Sequence, residues 1–131
     1  MTTNQTHQIV AMPALALRAI TVFPNLLIHF DVGREISIRA LEQAMSGSRE
    51  IFLVTQRELA VEAPTEKHLY RVGTVATVKQ ILRLPDNNVR VMVEGKSRGR
   101  MLQLLTTEPY LTAELELLEE EPAARENTPR T

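Results

Sequence analysis

The strongest constraint on folding lies between residues 69 and 93, where two runs of β-forming residues, 69–84 and 89–93, meet at Pro85-Asp86-Asn87-Asn88. Proline presets φ for a turn and Asn tolerates the left-handed region, so the chain doubles back here as a β-hairpin. If all four residues form the turn, Leu84 faces Val89, Leu82 faces Val91 and Gln80 faces Val93 on one side. Arg83 then meets Arg90, Ile81 meets Met92 and Lys79 meets Glu94 on the other. That register predicts a core face and a charged face with an apolar pair, Ile81 and Met92, in its middle. Because side chains alternate with period two, a slip of one residue exchanges the two faces.

Other segments extend the β pattern. Residues 110–117 alternate strictly, with Leu111, Ala113, Leu115 and Leu117 against Thr112, Glu114 and Glu116, as a half-buried antiparallel strand does. Residues 9–17 and 51–55 are short apolar strand signals, and Pro13, lacking an N–H, predicts an edge or a bulge. Residues 34–45 switch to helical spacing, with Ile38, Leu41 and Met45 on one stripe widened by Ala44, and Gly47 is expected to stop the helix in a left-handed cap. Glu35 precedes Arg39 by four residues, an ion pair worth about 0.3–0.5 kcal/mol. The polar stretch 56–67 reads as a long loop. The sum is an α+β, mostly β fold of short, mainly antiparallel strands with one principal helix. Residues 1–8 are expected to be a flexible N-terminus and 9–118 the domain. Residues 119–131, with Glu119-Glu120-Glu121 and two prolines, are expected to be a disordered acidic tail.

Composition narrows the chemistry. The chain has no cysteine, so disulfides, zinc thiolates and thiol nucleophiles are excluded, in keeping with a reducing compartment. A net charge of −1, 4% aromatic residues and no Trp supply neither the charge nor the stacking surfaces that nucleic-acid binding needs, so nucleic acid is not an expected partner. No apolar run reaches the roughly 18 residues of a membrane span and the start is polar, so a cytoplasmic location without membrane contact is expected.

Gly95-Lys96-Ser97 resembles the end of a phosphate loop, yet the required first glycine is replaced by Arg90 and valines stand where a flexible loop is needed. Lys96 and Ser97 are neighbours on a strand and point to opposite faces, which defeats a Ser-Lys catalytic pair. His7, His29 and His68 lack metal-ligand spacing, and His29 reads as a packing residue. Catalytic, cofactor and metal residues are therefore expected to be absent.

Binding is the positive signal. The segment 22–30 carries Val22, Phe23, Leu26, Leu27, Ile28 and Phe30 around a Pro-Asn turn, too apolar for an ordinary surface connection. Most of it is expected to lie under the core; any part left exposed becomes a contact surface. Candidate contacts are Phe23, Leu26, Leu27 and Phe30, the pair Ile81 and Met92, and Met101 in the cluster 101–105. Arg34, Glu35 and Arg39 form a second, polar candidate. Lys96, Arg98 and Arg100 line one strand face and, with Arg83 and Arg90, suggest a positive patch.

Several segments together resemble the amino-terminal domain of Lon proteases from about residue 11 to 118. Leu17-Arg18 before Val22-Phe23-Pro24 is similar to the family's opening strand and turn, and Val32-Gly33-Arg34-Glu35 with Ser37-Ile38 and Ala40-Leu41-Glu42 to its first helix. Residues 51–56, Leu69-Tyr70 with Val72-Gly73-Thr74-Val75-Ala76, 82–86 and 91–95 continue it in order. The chain departs from the family at Ala16 and Ala19, near His29, at Ile36 and at Asn87 or Asn88. The resemblance implies a pseudobarrel similar to PUA domains and a non-catalytic role in recognising unfolded or damaged protein substrates. It also implies help in assembling a homohexamer with other Lon domains and subunits. ATP and Mg, the AAA+ motor and the Ser-Lys dyad are implied only further along such a protease, so an end at Thr131 suggests a segment of a longer chain. The alternatives are a module serving chiefly hexamer assembly and a standalone PUA-like RNA-binding module.

Overall fold

The computed structural model describes residues 8–18, 20 and 22–118. The expected tail and N-terminal arm fall largely outside these residues. Seven principal elements follow one another: β1 (Ile9–Leu17), β2 (Leu27–Val32), α1 (Glu35–Ser46), β3 (Glu50–Thr55), β4 (Val72–Arg83), β5 (Val89–Thr106) and β6 (Leu111–Leu118). The strands form one sheet in the order β2-β5-β4-β3-β1-β6, and a further pairing of β6 with β5 closes it into a barrel. Only β1 and β3 run parallel; the other pairings are antiparallel. The mostly β pseudobarrel with one helix expected from the sequence is the fold observed. β5 makes closure possible: over its 18 residues the first part carries β2 and the second carries β6.

The core lies in two layers. Inside the barrel, Phe52 is fully buried among Ala14, Ala16, Val75, Met101, Leu111, Ala113 and Leu115. Beneath the helix, Leu15, Ile51, Leu53, Val78, Val89, Val91 and Val93 meet Leu41 and Ala44. Successive residues of β1 and β3 face opposite layers, which explains why both strands read as continuous apolar runs. β1 is an interior strand and not the edge that Pro13 suggested. Its parallel ladder with β3 starts at Ala14, so the missing N–H of Pro13 removes no bond to that neighbour.

The hairpin forms, but not in the register expected. The Leu84 N–H donates to the Asn88 carbonyl at 2.9 Å and Asn87 adopts φ 65°, so the turn closes around three residues instead of four. Arg83 therefore pairs with Val89 and Ile81 with Val91, while a bulge at Lys79 brings Val78 opposite Val93 and Gln80 opposite Met92. Ile81 and Met92 are thus separated. Met92 stays on the outer face and Ile81 turns inward, against the helix layer.

The helix is also rotated from the stripe predicted. Ser37, Ala40, Leu41 and Ala44 are buried, whereas Ile38 and Met45 are only partly so. Small residues let α1 approach the sheet closely, which displaces the larger pair to the rim of a groove of about 400 Å³ shared with Ile81 and Val89. Gly47 is not left-handed, at φ −119°. The left-handed residue is Arg49, at φ 69°, whose N–H returns to the Ala44 carbonyl at 2.8 Å.

In the long loop, Glu66 ties a short 3-10 turn to the barrel. One carboxylate oxygen accepts the Leu104 N–H at 3.0 Å and the other accepts Arg71 Nη2 at 3.0 Å. The Leu104 bond, assisted by Arg71 and opposed by partial desolvation, holds the Glu66 carboxyl below the usual carboxylate range. A carboxyl depressed in the folded state contributes stability above its unfolded pKa and loses it as pH falls through the folded one. Glu66→Gln is therefore expected to flatten the acid limb of a stability profile as pH falls through and below the ordinary Glu range, about 4.3. Urea midpoints across that range check it, and superimposable slopes for the two proteins refute it.

Candidate functional site

The loop before β2 is held by backbone contacts on β5. The Asn25 N–H donates to the Gly95 carbonyl at 2.9 Å and the Gly95 N–H to the Leu26 carbonyl at 2.8 Å, with Asn25 left-handed at φ 70°. A Cβ on Gly95 would overlap the Phe23 carbonyl, so only glycine lets the loop lie this close. Upstream, Thr74 Oγ1 donates to the Val22 carbonyl and Val22 is buried. The loop is thus fixed at both ends. Between them Phe23, Leu26 and Leu27 remain 46%, 45% and 60% exposed. The expectation that most of this segment lies under the core is corrected in part: Val22 and Phe30 do so and Ile28 packs against it half-buried, while Phe23, Leu26 and Leu27 do not. Tethering by main-chain bonds, which leaves the side chains free, is the reason.

The exposed loop runs into the outer face of β2, β5 and β4. From Arg90 to Arg100 the even-numbered residues of β5 are exposed or half-buried, while the odd ones from Val89 to Met101 are buried apart from half-buried Ser97. Across this face His29 and Gln80 flank Met92, and Asp31 and Leu82 flank Arg90. His29, Gln80, Leu82, Arg90 and Met92 line a shallow hollow of about 260 Å³, and Leu82 is 52% exposed. Leu27, Met92 and Leu82 therefore stand on the outer face of the sheet, and Phe23 and Leu26 adjoin them in the loop, with Phe23 beside Arg98 beyond a bulge at Lys96. Sequence reasoning missed Leu82 and His29, because the four-residue turn sent Leu82 inward and His29 was taken for a packing residue.

Two of the named candidates are withdrawn. Phe30 and Met101 are buried, Phe30 opposite Val91 under the helix layer and Met101 within the barrel, and neither reaches a partner. Ile81 lines the helix groove instead of the outer face.

The polar candidates separate in the same way. Arg39 binds Glu35 Oε2 through Nη2 at 2.6 Å and Nε at 3.0 Å, the expected exposed ion pair. Arg34 is a clamp: its Nη2 donates to the Ala16 carbonyl at 2.8 Å and its Nη1 to the Glu62 carbonyl at 3.2 Å. Burial, and then the nearby charge of Arg18, lower the Arg34 pKa from its ordinary value. The positive patch does not assemble as expected. Arg83 leaves this face for Glu42 of α1 at 2.7 Å, Arg90 is paired with Asp31 at 2.8 Å, and Arg100 reaches Glu116 at 3.8 Å. Hydrogen bonding with Arg90 holds the Asp31 carboxyl below the usual range.

Gly95, Lys96 and Ser97 lie within strand β5, followed by more strand and no helix, as the sequence argument required. Among the described residues no group of three or more His, Asp or Glu is placed to hold a metal ion. No helix among them is long and apolar enough to cross a membrane.

Known proteins match this arrangement. The family model described as the ATP-dependent protease La (LON) substrate-binding domain covers residues 11–130. A Lon protease of Clostridium acetobutylicum is 47% identical over 112 residues, 86% of this chain. Lon protease 1 of Bacillus subtilis is 39% identical over 111 residues, 85% of the chain. The chain spans about 14% of the length of these relatives. Among solved structures, the N-terminal domain of a Mycobacterium avium complex Lon protease aligns with TM-score 0.64 and 16% identity over 86% of this chain and 55% of that one. A Lon N-terminal domain protein from Xanthomonas campestris aligns with TM-score 0.63 and 13% identity, over 84% of this chain and 60% of the other. These two likenesses bear on the fold alone. With the family model over nearly the whole chain and relatives approaching half identity, the chain belongs to the Lon protease family and corresponds to its substrate-binding, non-catalytic amino-terminal domain.

Proposed function

We propose that the face formed by Phe23, Leu26, Leu27, Met92 and Leu82 holds exposed apolar segments of unfolded or damaged proteins for a Lon-type protease. The observation that carries this reading is the loop geometry: large apolar side chains stand in solvent on a backbone fixed to Gly95. A fixed loop loses little conformational freedom on binding, so more of the apolar contact energy reaches the complex. Met92 adds an adaptable side chain suited to varied partners. The family description, substrate-binding domain, agrees in kind.

In the whole protease this domain acts as the first contact, and ATP hydrolysis with Mg and peptide cleavage are carried out by other parts of a homohexamer in the cytoplasm. The domain also contributes to assembly, for which the apolar groove of Ile38, Met45 and Ile81 offers a surface apart from the client face.

Titration with a permanently unfolded protein tests the client reading. Leu27→Asp and Met92→Asp each place a charge in the apolar contact and are expected to weaken binding about tenfold or more, while circular dichroism stays unchanged. No saturable binding by the parent domain, or affinities equal across all three proteins, defeats it.

A further inference from the structure

Five of the six outward residues of β5 from Arg90 to Arg100 are charged, and their partners divide them into two sets. Arg90 is bound to Asp31, Glu94 to Lys79 at 3.4 Å and Arg100 to Glu116. Lys96 and Arg98 form no ion pair among the described residues, and both are exposed. They also lie next to the apolar loop, as does Glu94, which pairs across the ladder with Leu27 but is held by Lys79. The Arg98 guanidinium lies 5.5 Å from the centroid of the Phe23 ring, and the loop is bonded to Gly95, the residue before Lys96.

The arrangement couples charge to apolar surface. A guanidinium over a ring face is attracted by the ring quadrupole, so Phe23 and Arg98 restrain each other while the remaining N–H groups stay open to water. The nearest acid along β5, Glu94, lies across a bulge at Lys96, paired with Thr77 where Arg98 is paired with Thr74; it is engaged by Lys79 and does not neutralise the pair. A client whose apolar residues lie on Phe23, Leu26 and Leu27 thus has one end beside two cations that its own carboxylates can neutralise. On the sheet face before the bulge Arg90 is already paired, so an acid there meets no open cation.

We infer that the site selects apolar segments flanked on one side by acidic residues, with Lys96 and Arg98 receiving the carboxylates. This rests on the client-holding reading of the same face and adds a charge preference and a polarity to it. Complementary charge at the rim of an apolar contact acts mainly on selection and on the association rate, and it weakens with salt.

The test uses the full chain and synthetic peptides that share one unstructured apolar core, carrying two glutamates, two lysines or two serines at either end. At about 50 mM salt the glutamate peptide is expected to bind about threefold to tenfold more tightly than the serine peptide, and the lysine peptide more weakly, with the gap closing near 0.5 M. The preference should be larger for one end of the core than for the other. Lys96→Glu, which leaves the Phe23 contact in place, should reverse the ranking, and Arg98→Gln should reduce it. Equal affinities for the three flanks overturn the charge preference while leaving apolar capture standing. A glutamate preference that survives the Lys96→Glu, Arg98→Gln double variant overturns the assignment to these residues. Failure of all peptides to bind removes both readings together.

Discussion

Phe52→Ala is expected to lower the unfolding free energy by about 3–5 kcal/mol, the largest effect of any single truncation in this domain. Phe52 is fully buried at the centre of the barrel, where its ring lies against Gly73 and Gly99. Those two positions carry no side chain able to move into the vacated space, and the surrounding backbone belongs to a closed ladder, so the cavity cannot collapse. A domain of this size has about 5–15 kcal/mol in total, so the loss takes a large share of it. Urea denaturation followed by far-UV circular dichroism measures the change. A loss below about 1 kcal/mol would show that the barrel interior repacks freely. Phe52→Leu, which keeps most of the volume, should cost about 1–2 kcal/mol by the same measurement.

Gly95→Val is expected to separate the client loop from the barrel. The atom in the way of a new side chain is the Phe23 carbonyl, part of the backbone, so no rotamer change relieves the overlap. Either β5 moves or the loop lifts. At Gly95 the loop is held by two backbone hydrogen bonds, from the Asn25 N–H to the Gly95 carbonyl and from the Gly95 N–H to the Leu26 carbonyl, and it is the weaker element. A destabilisation of about 1–3 kcal/mol should accompany the change. Client affinity should fall at least as far as in Leu27→Asp, because Phe23, Leu26 and Leu27 lose their fixed positions together. Hydrogen exchange at the Asn25 amide reports the detachment directly. Native protection there, with unimpaired client binding, would refute the coupling of Gly95 to the site.

Most of the architecture was legible because its signals are local. The alternation of 110–117 is the burial pattern of β6, with Leu111, Ala113 and Leu115 inward. The Pro-Asp-Asn-Asn turn produced the hairpin, and Glu35 found Arg39 one helical turn away. What could not be read depended on single-residue geometry or on distant contacts. Whether Asn87 or Asn88 takes the left-handed position changes the loop by one residue, and this exchanged the environments of Ile81 and Leu82. The helix stripe was misjudged because size, not only hydrophobicity, decides which residues face a sheet, and Ser37, Ala40 and Ala44 fit closer than Ile38 or Met45. Phe23 and Met101 have similar apolar character in the sequence. Met101 is buried where β6 closes on β5 over the Phe52 cluster, and Phe23 is left outside where the loop is seated on Gly95.

That closure has a consequence for how the domain is made. β1 lies between β3 and β6, and its ladder with β6 joins residues 9–14 to residues 111–116, so one neighbour of the first strand is the last described one. Chains leave the ribosome at about 5–20 residues per second, and contacts this distant in sequence form late. For some seconds β1 therefore waits with one edge unpaired and Met12, Ala14 and Ala16 lacking the Leu111–Leu115 wall that later covers them. During that interval a newborn copy exposes an extended apolar segment of the very kind its finished siblings are proposed to hold.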